Sequence, residues 1–274
     1  MSKKLFGAIG AGALALSAAV AGLVAPAGAQ TSAATITLIH GIPNTDVDVE
    51  AGGRNVFTAF KYSQTQDLSS LAGQTLQGLK VKAAGTSTVA IDAGNVTLPS
   101  SGNTTIIAHL DAAGKPTLGV FANDTSTIAA GKGRLIVRHT AAAPAVDIRA
   151  NGTVAFANVV NGKEGKADLA AGTISADVVP TGASTPVVIG PANLPITAGS
   201  ALIVYAVGSL DGRTLNVLTQ QISGLGAAPA RVNTGNSPVD NSSTSAMTIG
   251  AIAAMVLLAG GGASLVLARR KVSR

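Results

Sequence analysis

The chain has 274 residues, of which 47% are hydrophobic, only 3% aromatic and only 12% charged. With 33 Gly and 11 Pro it is unlike a typical cytosolic enzyme, yet it is too apolar for wholesale disorder. It has no Cys, which excludes disulfides, zinc–thiolate sites, iron–sulfur clusters, a thiol nucleophile and a lipidated Cys.

The net charge of +6 sits at the two ends. Lys3, Lys4, Arg269, Arg270, Lys271 and Arg274 hold six of the 19 Lys+Arg, and the remaining 13 balance the 13 Asp+Glu of the body. A nucleic-acid partner needs a basic face and usually an aromatic stacking platform. This body is neutral and has no Trp, so no nucleic-acid partner is expected.

Residues 1–29 predict a secretory signal helix. Lys3 and Lys4 form the positive region, Leu5 to Val24 is apolar, Pro26 breaks the run, and Ala27-Gly28-Ala29 offers a small-residue cleavage pattern. Cleavage is expected after Ala29, with the mature chain starting at Gln30.

The body that follows repeats itself. Thr35-Ile36-Thr37-Leu38-Ile39-His40 is echoed by Arg134-Leu135-Ile136-Val137-Arg138-His139, and Asp48 follows its His at the same distance as Asp147. Phe57 matches Phe156 at the same offset of 99. Further on, Ile106-Ile107 aligns with Ile203-Val204, and His109 with Ala206, at an offset of 97. Two units result, 34–125 and 133–224, with 129–133 read as the link between them.

Each unit reads as β. In the first, strands are expected at 35–39, 47–49, 55–60, 78–83, 88–92, 104–110 and 117–121. In the second they are expected at 135–137, 146–148, 153–159, 174–179, 187–189, 201–207 and 215–220. Gly52-Gly53 and Asn151-Gly152 are hairpin turns by composition. Turn residues every 8 to 12 positions or so, and no amphipathic helical period, give an all-β class: two tandem immunoglobulin-like β-sandwich units.

After the body, 227–245 has the composition of a flexible polar stalk. Residues 247–268 are uncharged and long enough, at about 1.5 Å per residue, to span the roughly 30 Å hydrocarbon core. Arg269-Arg270-Lys271 opens a basic tail, 269–274, which the positive-inside rule places in the cytoplasm. The expected partner is therefore the membrane, through a single C-terminal transmembrane helix, with the body extracellular. Leu194-Pro195-Ile196-Thr197-Ala198 resembles a cell-wall sorting motif but stands far too early, inside a strand region, so wall attachment is disfavoured.

The most pointed polar residues are His40 with Asp48 and His139 with Asp147. A His–carboxylate pair can orient a general base or help hold a metal. No Ser or second His recurs in step to complete either set, and the third His, His109, has no repeated counterpart. The reading for all four is structural: each Asp accepts hydrogen bonds from backbone N–H groups or from the ring and fixes the first turn. Asp46, Asp48 and Glu50 alternate on one strand face and could interest Ca²⁺, but the second copy replaces Asp46 with Ala145 and Glu50 with Arg149. No catalytic, cofactor-binding or metal residues are assigned, and no cofactor is expected.

The opening of each unit resembles the bacterial extracellular family called domain of unknown function 4397. In that pattern a β-branched strand ends in His, and Ser-Pro-x-Ala-Pro-x-Val-Asp then leads to a hairpin; neither copy here has the Ser-Pro. The matching residues are His40, Pro43, Asp48 and Val49, then His139, Ala143-Pro144, Val146-Asp147 and Ile148. The resemblance covers 34–224 and implies a secreted or surface β-sandwich, often in tandem, without an established activity. The expected function is a non-enzymatic surface protein presenting tandem modules to an envelope protein or glycan, or serving envelope structure. The alternatives are an envelope hydrolase with an unrecognised site and a metal- or ligand-sensing ectodomain.

Overall fold

In a computed structural model the described residues are 34–227. The expected signal segment with its cleavage after Ala29, nearly all of the stalk, the membrane helix and the basic tail lie outside them. Sixteen strands make up almost the whole fold. The first eight are β1 (Thr35–His40), β2 (Val47–Ala51), β3 (Arg54–Phe60), β4 (Thr65–Asp67), β5 (Thr75–Ala83), β6 (Val89–Thr97), β7 (Asn103–Leu110) and β8 (Pro116–Ala122). The second eight are β9 (Lys132–Ala142), β10 (Val146–Ala150), β11 (Thr153–Val159), β12 (Lys163–Ala170), β13 (Gly172–Pro180), β14 (Ile189–Ile196), β15 (Ala201–Ser209) and β16 (Asn216–Ile222). One 3-10 turn, Ser69–Leu71, follows β4.

The strands form four sheets, ordered β4-β1-β7-β8, β3-β2-β5-β6, β12-β9-β15-β16 and β11-β10-β13-β14. The order in the second half repeats the first, strand for strand. In each half a parallel pair, β1–β7 or β9–β15, lies at the centre of one sheet. The hairpins at Gly52-Gly53 and Asn151-Gly152 form as expected, with both residues of each at positive φ. Such two-residue turns match the strand twist and favour Asn and Gly.

Three apolar cores separate the sheets. One gathers Ile36, Leu38, Val47, Val49, Val81 and Ile106 from the first two sheets. Another gathers Leu135, Val137, Val146, Ile148, Ile174 and Val204 from the last two. A third lies between the halves and joins Ile39, Ile107 and Phe121 to Ile136, Ile203, Tyr205 and Val207. The layers therefore stack as outer, inner, inner, outer. The inner strands β7, β9 and β15 are buried along nearly their whole length. Burial on both faces is why Ile106-Ile107-Ala108, Leu135-Ile136-Val137 and 201–207 read as unbroken apolar runs rather than alternations.

Strands β4 and β12 were not expected, because 65–67 and 163–170 are mostly polar edge segments. Lys132 and Gly133 belong to β9 rather than to a link, and Ile128 bridges to Gly226. The parallel registers set Ala108 beside His40 and Ala206 beside His139, so Ala206 is the counterpart of Ala108 and His109 answers to Val207. Likewise Ile106 answers to Val204. The sorting-like run closes β14, where Leu194 and Ile196 are core residues.

Candidate functional site

His40 ends β1 and His139 lies near the end of β9, each pointing into the core of its own half. Both rings are buried. The His40 Nε2–H donates to the Thr45 carbonyl at 2.7 Å, and the Ile42 N–H approaches Nδ1 at 3.4 Å. In the second half His139 Nε2–H donates to the Pro144 carbonyl at 2.9 Å, and the Ala141 N–H approaches Nδ1 at 3.4 Å. A carbonyl only accepts, so Nε2 carries the proton and Nδ1 keeps its lone pair. Each ring thereby ties the end of its strand to the loop before the next one. Burial holds both imidazoles below the ordinary His range, opposed in part by the carbonyl bond.

Asp48 and Asp147 do different work from the rings. In the β2–β3 ladder Val47 pairs with Phe60 and Val49 with Phe57, so Thr58 and Ala59 stand against Asp48 alone. This is a β-bulge, two residues opposite one. Ala59 has φ 49°, and its N–H donates to Asp48 Oδ1 at 2.8 Å. The other oxygen accepts the Gly85 N–H at 3.0 Å. The second half copies this arrangement. Val146 pairs with Val159 and Ile148 with Phe156, Asn158 has φ 52°, and Asp147 accepts the Asn158 and Gly182 N–H groups at 2.7 and 2.9 Å. These backbone donors hold both carboxyl groups below the ordinary carboxylate range. Each Asp pins three segments: its own strand, the bulge, and the turn after its other sheet neighbour, β5 or β13.

The remaining carboxylates of the first-half strand are spent or apart. Glu50 pairs with Lys82, and Asp46 is exposed in the loop before β2. The structure does not gather Asp46, Asp48 and Glu50 around one point. Among the described residues there is no group of three or more His, Asp or Glu that could hold a metal.

Sequence reasoning missed the most heavily buried polar cluster, which lies between the halves. Arg138 on β9 has no exposed surface. Its Nε donates to Glu164 at 2.7 Å and its Nη1 to the Tyr205 hydroxyl at 2.8 Å. The guanidinium carbon lies 4.5 Å from the centroid of Phe121, across the interface. Tyr205 donates to Gln220 Oε1 at 2.7 Å, and Thr105 of the first half donates to the same oxygen at 2.9 Å. Asn161 adds a second tie, donating to Leu110 O at 3.0 Å and Ala141 O at 2.7 Å. The only sequence signal was the place of Arg138 directly after the apolar run Leu135-Ile136-Val137 of β9.

The fold and its polar brackets define a class: an all-β body of repeated strand order whose His and Asp side chains are bonded to backbone. Residues 34–149 match the family model described as "Domain of unknown function (DUF4397)". The matched stretch runs through the whole first half and ends in β10, at Arg149, so it contains His40, Asp48, His139 and Asp147. No curated protein matches the chain in sequence.

Proposed function

We propose that the protein is a membrane-anchored cell-surface protein whose tandem β-sandwiches act as one rigid, non-catalytic presenting body. In this reading each half, 34–125 and 133–224, is an immunoglobulin-like copy of the matched family. The signal segment exports the chain, the 247–268 helix holds it, and the stalk lifts the body from the bilayer.

The observation that carries the reading is where the two ends of the body lie. β1 begins at Thr35 beside Asn103, and the chain after β16 returns to the same end, where Gly226 bridges Ile128. Both halves point the same way, because Asn161 reaches Leu110 at the opposite end. A chain that enters and leaves at one end suits a stalked body and turns the far loops outward. Those loops include 41–46, 111–115, 181–188 and 210–215. The spending of His40, His139, Asp48 and Asp147 on backbone groups supports a body without catalysis.

The test is protease shaving of intact cells, with N-terminal sequencing of the membrane-bound protein. A sequence starting at Gln30 and release of the body from the cell surface are expected. A start at Met1 or Ser2, or a body sheltered from external protease in intact cells, overturns the reading.

A further inference from the structure

The interior of the first half is incompletely filled. Between its sheets lies a cavity of about 60 Å³ lined by Leu38, Val49, Phe57, Leu79, Ala108 and further apolar side chains. Val56 lines it and is 49% exposed, so the cavity reaches the surface beside β3. The one polar lining residue is His40, whose two ring nitrogens already face backbone partners.

The second half has a smaller apolar cavity of its own, about 40 Å³, but it lies against β13 and β14, lined by Ile148, Val178, Ile189, Leu194 and Val204. Beside β11, the counterpart of β3, the two halves differ for a local reason. In the second half Gly165 of β12 stands opposite Val137 on the core side, and Phe156 lies directly on it. A Cβ at Gly165 would meet Phe156 Cγ at 2.3 Å. The equivalent of Gly165 is Gln66, opposite Leu38. A side chain there denies Phe57 the bed that Phe156 occupies. β4 is also three residues long where β12 has eight, so the edge beside β3 is less covered.

We propose that the first half binds the end of a single aliphatic chain, entering beside Val56 and running between the sheets toward His40. A water needs roughly 10–15 Å³ of enclosed space, so a cavity of about 60 Å³ has room for a few methylene-sized groups. Burying such groups in a dry, preformed apolar cavity is favourable, while a polar head would find no free partner inside and stays at the surface. The inference concerns a ligand of the first half alone and does not depend on how the chain is anchored.

The experiment uses the full chain in lipid nanodiscs, with octanoic acid bearing a terminal diazirine as the photoprobe. Adducts are mapped to tryptic peptides. Labelling is expected to concentrate on 55–61 and 62–80 and to exceed that of the second-half counterpart, 150–163. Unlabelled octanoate should compete, and benzyl alcohol should not. Ala108→Leu fills the space, and Gln66→Gly lets Phe57 settle on β4. Each should lower labelling of 55–61 about fivefold or more, as loss of a few buried methylene contacts would. Melting curves identify which variant is folded, and the wild-type map decides if neither is. Equal labelling of 55–61 and 150–163, or labelling unchanged in a folded variant, overturns the proposal. Equal competition by benzyl alcohol overturns its aliphatic class.

Discussion

Asp147 bonds two backbone N–H groups, from Asn158 and Gly182, that have no obvious alternative acceptor in their distorted stretch of ladder. Removing a charged acceptor leaves such donors unpaired. Asp147→Ala is therefore expected to lower the Tm of the whole chain by roughly 5 °C. Asp48→Ala should do the same, and the melt should not respond to EDTA or Ca²⁺. An unchanged Tm would dismiss the bulge-bracing role. The His residues give a pH dependence of defined sign. Burial lowers the folded-state pKa of His40, His109 and His139, so the unfolded chain takes up protons first. Their stability is fully present above the ordinary His value near 6.5 and is lost as pH falls through and below it. Protonating Nδ1 of His40 or His139 would also set an N–H against the N–H of Ile42 or Ala141. Tm should fall between about pH 7 and pH 5, before the carboxylates titrate. His139→Gln should flatten that slope, and a flat wild-type profile would contradict the assignment.

At the scale of the strand, the bulge is the informative feature. Phe57 packs against the core and Phe60 is buried in it, yet they are three apart, an odd spacing that a regular strand cannot place on one face. The bulge reconciles them and costs a left-handed Ala59. A non-Gly residue there costs roughly 1–2 kcal/mol, part of which Gly returns as unfolded-chain entropy. Ala59→Gly should therefore raise Tm by roughly 1–3 °C, the opposite sign to the usual effect of Gly in a strand. The spacing of Phe57 and Phe60 was legible in the sequence. That Asp48 answers the bulge was not, since Gly85 and Ala59 meet it only after three strands have paired. Strands β4 and β12 were illegible for the opposite reason: they are held by ladder bonds to β1 and β9 rather than by an apolar pattern of their own.

At the scale of the molecule, the inter-half core decides behaviour. Ile136, Ile203 and Val207 are fully or almost fully buried there, with Arg138 and Tyr205 among them. Separating the halves would expose this face, together with a guanidinium whose Nη2 has no partner even in the folded body. A fragment of the second half alone is therefore expected to self-associate in size-exclusion chromatography, whereas the described body should melt in one transition by calorimetry. Arg138→Ala should cost about 3–5 kcal/mol, because it strands Glu164 and Tyr205 beside an empty space. Arg138→Met, which keeps most of the volume, should cost much less. Two resolved transitions in the wild type would show that the halves fold independently.

The sequence by itself determined the β class, the two-fold repetition and the hairpins, because these rest on local chemistry: β-branched runs, turn residues with positive φ, and a spacing that recurs at 99 residues. It also singled out His40, Asp48, His139 and Asp147, since an ionisable residue kept in both copies beside apolar strands demands a partner. Only the tertiary structure decided what those partners are. The rings and the carboxylates bond to backbone groups of different segments, up to 37 residues away, and not to one another. It also decided that the halves share a core. An inner strand apolar on both faces looks the same in sequence whether its second face meets a ligand, a partner or another sheet, and only packing tells these apart.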